Sequence, residues 1–199
     1  MKEIPMRSFL LIVFAAMAPA ATTYNISVDT SSASGNGGAI YFQFNPGPGT
    51  VDAATAIVSG FSLIGGTLAA SPEPPIPASV TGVLPLAVTL ANTFGLNDYF
   101  HTFTYGTQLS FNVELSSTVT TAADSGTVFN LFLLSSDGSS NTFSSTDPNG
   151  VLVGVDINAV GVVALSNFNS QLVSASEVTS AIPEPGRSEE RRVGKECCR

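Results

Sequence analysis

Apolar and polar side chains alternate with period two along much of the chain. Tyr24, Ile26 and Val28 alternate with Asn25, Ser27 and Asp29; Ile40, Phe42 and Phe44 alternate with Tyr41, Gln43 and Asn45; Leu109, Phe111, Val113 and Leu115 alternate with Ser110, Asn112 and Glu114. Successive side chains of a strand point to opposite faces, so the pattern predicts half-buried strands whose first-named residues enter a core. Shorter apolar runs predict further strands at 56–64, 83–90, 98–105, 128–134, 151–157 and 160–165. Turn chemistry separates them, at Gly35-Asn36-Gly37-Gly38, Asn45-Pro46-Gly47-Pro48-Gly49, Asp137-Gly138 and Asp147-Pro148-Asn149-Gly150. A Pro-rich stretch around Pro72-Glu73-Pro74 reads as a polyproline connector. No segment beyond residue 20 carries a helical stripe. Many short strands joined by Gly and Pro turns predict an all-β fold, an antiparallel β-sandwich of jelly-roll-like or Ig-like topology, over residues 21–178. About 160 residues bury enough apolar surface to hold such a core without disulfides.

The distribution of charge changes the picture at both ends. Lys2 and Arg7 precede the apolar run Phe9–Met17, and the small residues Ala18-Pro19-Ala20-Ala21 follow it. A cationic head, a short apolar stretch and small residues at a cleavage site form a secretory signal peptide over residues 1–20, removed by signal peptidase. The run is too short to span a bilayer, which takes about 20 apolar residues, so no membrane span is expected beyond it. From Ser8 to Gly186 the chain has no Lys or Arg, and the span 21–186 holds 11 acidic side chains. Such a domain repels nucleic acid and anionic surfaces, so nucleic acid is excluded as a partner. The two cysteines, Cys197 and Cys198, are adjacent at the C-terminus and supply no disulfide framework.

Near the C-terminus stands Ala181-Ile182-Pro183-Glu184-Pro185-Gly186. Prolines on both sides hold the Glu184 backbone extended and remove hydrogen-bond donors, which leaves a stiff peptide for an enzyme to grip. A Pro-Glu-Pro element near the end of a chain with a signal peptide resembles the PEP-CTERM proteins, the substrates of exosortase. The runs Val28-Asp29-Thr30-Ser31-Ser32, Ile40-Tyr41-Phe42-Gln43-Phe44-Asn45-Pro46-Gly47 and Leu96-Asn97-Asp98-Tyr99-Phe100 resemble a subfamily with a single β-rich domain and no assigned activity. The resemblance implies that Pro183, Glu184 and Pro185, within residues 179–186, are recognition residues for exosortase. It also implies a location at the cell surface or in the extracellular matrix of a Gram-negative bacterium. Members of that family continue into an anchoring helix. Here residues 187–199 follow, and 8 of the 13 are charged; this tail resembles translated adaptor sequence, with a natural charged tail as the alternative.

Candidate chemistry in the middle of the chain is sparse. Without Cys, Lys or Arg, a thiol nucleophile, a Schiff base and a phosphate clamp are excluded. A Ser/His/Asp triad would need His101, the single histidine, whereas its alternation with Tyr99, Phe103 and Tyr105 points to a hydrogen-bonded structural histidine. Asp98, Glu114, Asp124 and Asp156 are the carboxylates from which a glycosidase pair would be drawn, about 5 to 9 Å apart. No catalytic residue is assigned, and the chain reads as non-enzymatic. Tyr99, Phe103 and Tyr105 share one face of a strand and would stack on sugar rings if that face pointed outward; pointing inward, they are core. No cofactor and no metal ligand is assigned. Calcium is the one candidate ion, at the oxygen-rich turns Asp137–Asn141 and Asp147–Gly150. The leading expectation is an exported, non-enzymatic envelope or matrix protein with exopolysaccharide as a partner, bridged to the acidic domain by divalent cations. The alternative is a secreted carbohydrate-binding module.

Overall fold

The computed structural model describes residues 21–118, 123–161 and 163–179. Twelve strands follow one another along these residues. They are β1 (Thr22–Asp29), β2 (Gly37–Pro46), β3 (Ala54–Ile64), β4 (Thr67–Leu68), β5 (Val80–Gly82), β6 (Val88–Ala91), β7 (Asp98–Thr104), β8 (Gln108–Ser117), β9 (Thr127–Ser135), β10 (Val153–Ile157), β11 (Val163–Asn167) and β12 (Val173–Glu177). A single 3-10 turn, Ser31–Ala33, lies between β1 and β2.

Two six-stranded antiparallel sheets pack face to face, in the orders β12-β1-β8-β3-β6-β5 and β11-β10-β9-β2-β7-β4. The pairings β1 with β8, β2 with β7 and β3 with β6 are nested, as in a chain folded into one long hairpin and then rolled. The orders β1-β8-β3-β6 and β2-β7-β4 are those of a jelly roll, which decides between the two sandwich topologies. After β8 the chain adds β9, β10 and β11 as a meander beside β2, and β12 crosses back to pair with β1.

The predicted inward residues are the core. Ile26, Val28, Ile40, Phe42, Phe44, Leu109, Val113 and Leu115 have no exposed surface, and Tyr24 and Phe111 have almost none. Phe42 sits among Phe111, Phe129 and Tyr99, with ring centroids 5.2, 5.6 and 6.1 Å away. Tyr105 closes the core beyond the end of β7. Its ring lies against Gly38, where a Cβ would come within 2.1 Å of it, so only glycine fits there.

Some predicted strands shift. The run at 83–90 is a turn followed by β6, because β5 and β6 form a hairpin whose reversal passes through Pro85. The strands expected at 151–157 and 160–165 begin two and three residues later. β4, β5 and β12 were not predicted: the first two have two and three residues, too few for alternation to register, and β12 carries small polar residues along its exposed edge.

Register fixes the two ends of the sandwich. Tyr24 lies opposite Glu177, and the Val178 N–H donates to the Thr23 carbonyl oxygen. The described chain therefore enters and leaves at the same pole. The end of β1, the start of β2, the end of β9, the start of β10, the end of β11 and the start of β12 lie at the opposite pole.

Candidate functional site

Strand β7 places Tyr99, His101 and Phe103 on its inner face, with Tyr105 just beyond. Tyr99, His101 and Tyr105 have no exposed surface, and Phe103 is 4 % exposed. The candidate stacking platform at Tyr99, Phe103 and Tyr105 is thus overturned, and the inward alternative holds: these rings fill the space between the sheets and offer no face to a sugar. The Leu84 N–H donates to the Tyr99 hydroxyl oxygen at 3.0 Å. His101 Nδ1 lies 2.8 Å from that hydroxyl, and Nε2 lies 3.0 Å from the Ala69 carbonyl oxygen. A carbonyl only accepts, so Nε2 carries the hydrogen, and in the neutral ring Nδ1 accepts from Tyr99. This chain of bonds ties β7 to the segments on either side of β5. With both ring nitrogens committed and the ring buried, His101 stands as a structural histidine, and neither nitrogen has a serine as its partner among the described residues.

The carboxylates named for a glycosidase pair are not brought together on the strands. Asp98 is on β7 and Asp156 on β10, separated by β2 and β9, which at about 4.8 Å per strand puts them roughly 14 Å apart. Glu114 projects from the outer face of the other sheet. Asp124 precedes β9 and accepts from the Thr50 N–H at 3.2 Å. Among the described residues no group of three or more His, Cys, Asp or Glu side chains gathers into a metal-binding arrangement.

The two turns named for calcium use their carboxylates on their own chain. Asp137 accepts from the Ser135 hydroxyl at 2.6 Å, from the Ser139 N–H at 3.1 Å and from the Ser139 hydroxyl at 2.8 Å. These bonds, the Ser135 hydroxyl foremost, pull its pKa down to about 2. Asp147 accepts from the N–H groups of Asn149 and Val151. Both patterns fold the backbone of a tight turn.

A second aromatic group lies on the outer face of the sheet that contains β7. Tyr41 of β2 stands between Phe100 and Phe132, with centroids 6.0 and 5.5 Å from its own. The Tyr41 hydroxyl donates to Asp98 Oδ2 at 2.5 Å and accepts from Gln43 Nε2 at 2.8 Å, while Asn45 Nδ2 donates to Asp98 Oδ1. Burial, with Asp98 alongside, pushes the Tyr41 hydroxyl up to about 12. The turn at Gly138 packs on Phe100, since a Cβ there would meet the ring at 3.2 Å. The rings form a satellite cluster under that turn. Asn45 also accepts from the Asn97 N–H at 2.8 Å, so the stretches around residues 40–47 and 96–100 brace one another.

A third arrangement is a cleft of about 370 Å³ at the pole opposite the chain ends, where residues 144–146 face residues 167–171. Its walls are braced internally. Asn169 Nδ2 donates to the Ser144 carbonyl at 2.9 Å, Thr146 donates through both its N–H and its hydroxyl to the Phe168 carbonyl, and Asn167 Nδ2 donates to the Val173 carbonyl. The Phe168 ring lies against Gly154 of β10, where a Cβ would stand 3.3 Å from it. No charged side chain lines the cleft. Sequence reasoning missed it because its two walls come from loops more than 20 residues apart, and Ser and Asn read there only as turn formers.

Pro183, Glu184 and Pro185, with residues 1–20 and the charged tail, lie outside the described residues. Pro72-Glu73-Pro74 is within them, in the connector between β4 and β5, where the Glu73 N–H donates to the Phe100 carbonyl at 3.0 Å.

No family model, curated protein or solved structure matches the chain.

Proposed function

We propose that this is an exported, non-enzymatic protein of the bacterial envelope or extracellular matrix, sorted by exosortase in its complete form, with exopolysaccharide as its surroundings. The observation that carries the reading is the segregation of charge: every cation lies within residues 1–7 or 187–199, around 11 acidic side chains and no basic one in 21–186. A signal peptide explains the first group, and the acidic span between them keeps its copies apart in an exterior that is uncharged or supplies cations. The non-enzymatic part is supported by the committed, buried His101 and by the spacing of the strand carboxylates.

Reading the gene beyond the codon for Gly186 tests the sorting claim. The expected result is an apolar stretch of about 20 residues followed by an Arg cluster. If the charged tail at 187–199 is instead confirmed as the genuine end, the resemblance at Pro183-Glu184-Pro185 is accidental and the sorting claim fails. The carbohydrate-binding alternative loses its β7 platform, and the uncharged cleft is the observation that keeps it in view.

A further inference from the structure

We propose that the cleft between residues 144–146 and 167–171 binds an uncharged hexose oligosaccharide. This names a ligand class for the matrix protein proposed above, but it stands on the cleft's own geometry. A volume of about 370 Å³ lies within the range of small-molecule sites. The lining departs from a typical apolar pocket: apart from Phe168 it consists of hydroxyl and amide side chains. Sugars match that mixture, because their hydroxyls both donate and accept while their C–H faces pack on an aromatic ring. Ionic ligands find no counter-charge there, and anionic ones also meet the field of an all-acidic domain.

The braces divide the lining into frame and contacts. Asn167 and Asn169 are spent on the Val173 and Ser144 carbonyls and on the N–H groups of Asn169 and Leu172. Ser145 donates to the Val151 carbonyl and accepts from the Asp147 N–H. These bonds fix both walls before any ligand arrives, which lowers the ordering cost of binding. The side chains of Ser144, Ser170 and Gln171 are exposed and have no hydrogen-bond partner among the described residues. They are the groups left to address hydroxyls, beside the half-buried Phe168 ring. The chain enters and leaves at the other pole, so a ligand here does not compete with either connection.

Titration of the isotope-labelled full chain with maltohexaose and with cellohexaose, followed by amide chemical shifts, tests the proposal. The expected result is saturable shifts confined to residues 144–146 and 167–171 with at least one of them, and none with an alginate hexamer. Phe168→Ala should weaken binding about tenfold and Gln171→Ala about threefold, the size of a lost ring contact and a lost hydrogen bond. Gln171 is exposed, so its variant keeps the fold and the test holds even if Phe168→Ala does not fold. Absence of shifts with both neutral hexamers up to about 10 mM overturns the proposal, as do shifts of equal size with alginate or shifts centred elsewhere. Failure here with export intact removes the ligand alone, and failure of export with binding intact removes only the localisation.

Discussion

At the scale of single residues, buried polar groups tie the strands and loops of the core together alongside the rings. Asn92 accepts from the Ala54 N–H in one sheet and donates to the Thr127 hydroxyl in the other, at 2.9 and 2.7 Å. Asn97, fully buried, donates to the Phe44 and Phe94 carbonyls. The Tyr99 hydroxyl links Leu84 to His101 in the same manner. Tyr99→Phe keeps the ring but strands His101 Nδ1 and the Leu84 N–H in a dry interior. It should cost about 1–3 kcal/mol, read as a lower urea midpoint with an unchanged denaturant slope. A variant as stable as the parent would mean that these bonds are satisfied in another way. Alternation in the sequence identified Tyr99, His101 and Phe103 as one face, and they are. Which side of the sheet that face looks toward depends on β2 and β4 flanking β7 and on the other sheet packing against them, information that no local pattern holds.

At the scale of elements, the long strands were legible and the short ones were not. β1, β2 and β8 each carry three or four alternations, enough to set both existence and phase, and their inward residues match the pattern. β4 and β5 are held by pairing with β7 and β6 rather than by any pattern of their own. The outer-face cluster of Tyr41, Phe100 and Phe132 was hidden because each is the lone aromatic ring on the outer face of its strand; only the register, with Tyr41 opposite both Phe100 and Phe132, gathers them. The turn that covers Phe100 is set by Asp137, which makes it sensitive to acid. A carboxylate whose folded pKa is depressed stabilises the fold fully above its unfolded value, about 3.9, and loses that contribution as pH falls through about 2. Asp137→Asn should flatten the pH dependence of stability between about 4 and 2, with its full loss relative to the parent present at pH 7 and the difference shrinking as pH falls through that window. Equal pH profiles for variant and parent would show that the turn does not depend on the ionised carboxylate.

At the scale of the whole molecule, all four tyrosines are held in their protonated form. Burial raises each, helped at Tyr24 by the neighbouring charge of Glu177 and at Tyr41 by Asp98, with Tyr41 and Tyr105 both reaching about 12. A group whose folded pKa is raised stabilises the fold fully below its unfolded value, about 10, and loses that contribution as pH rises toward 12. The chain has no Trp, so tyrosinate absorbance reads this without interference. Little ionisation should appear at pH 10, followed by a steep, cooperative rise that coincides with loss of the β signal in circular dichroism. A quarter of the absorbance titrating near pH 10 would place one tyrosine in water and contradict the packing.

At this scale too, residues 1–20 are proposed to carry a wholly acidic sandwich out of the cytoplasm. The most direct test is to express the full chain in a Gram-negative host, separate cytoplasm, membranes, periplasm and medium, and determine the N-terminus of the recovered protein by mass spectrometry. The expected product is a chain outside the cytoplasm that begins at Ala21 or Thr22, one residue before or at the start of β1. A chain retained in the cytoplasm with Met1 to Ala20 still attached would contradict it.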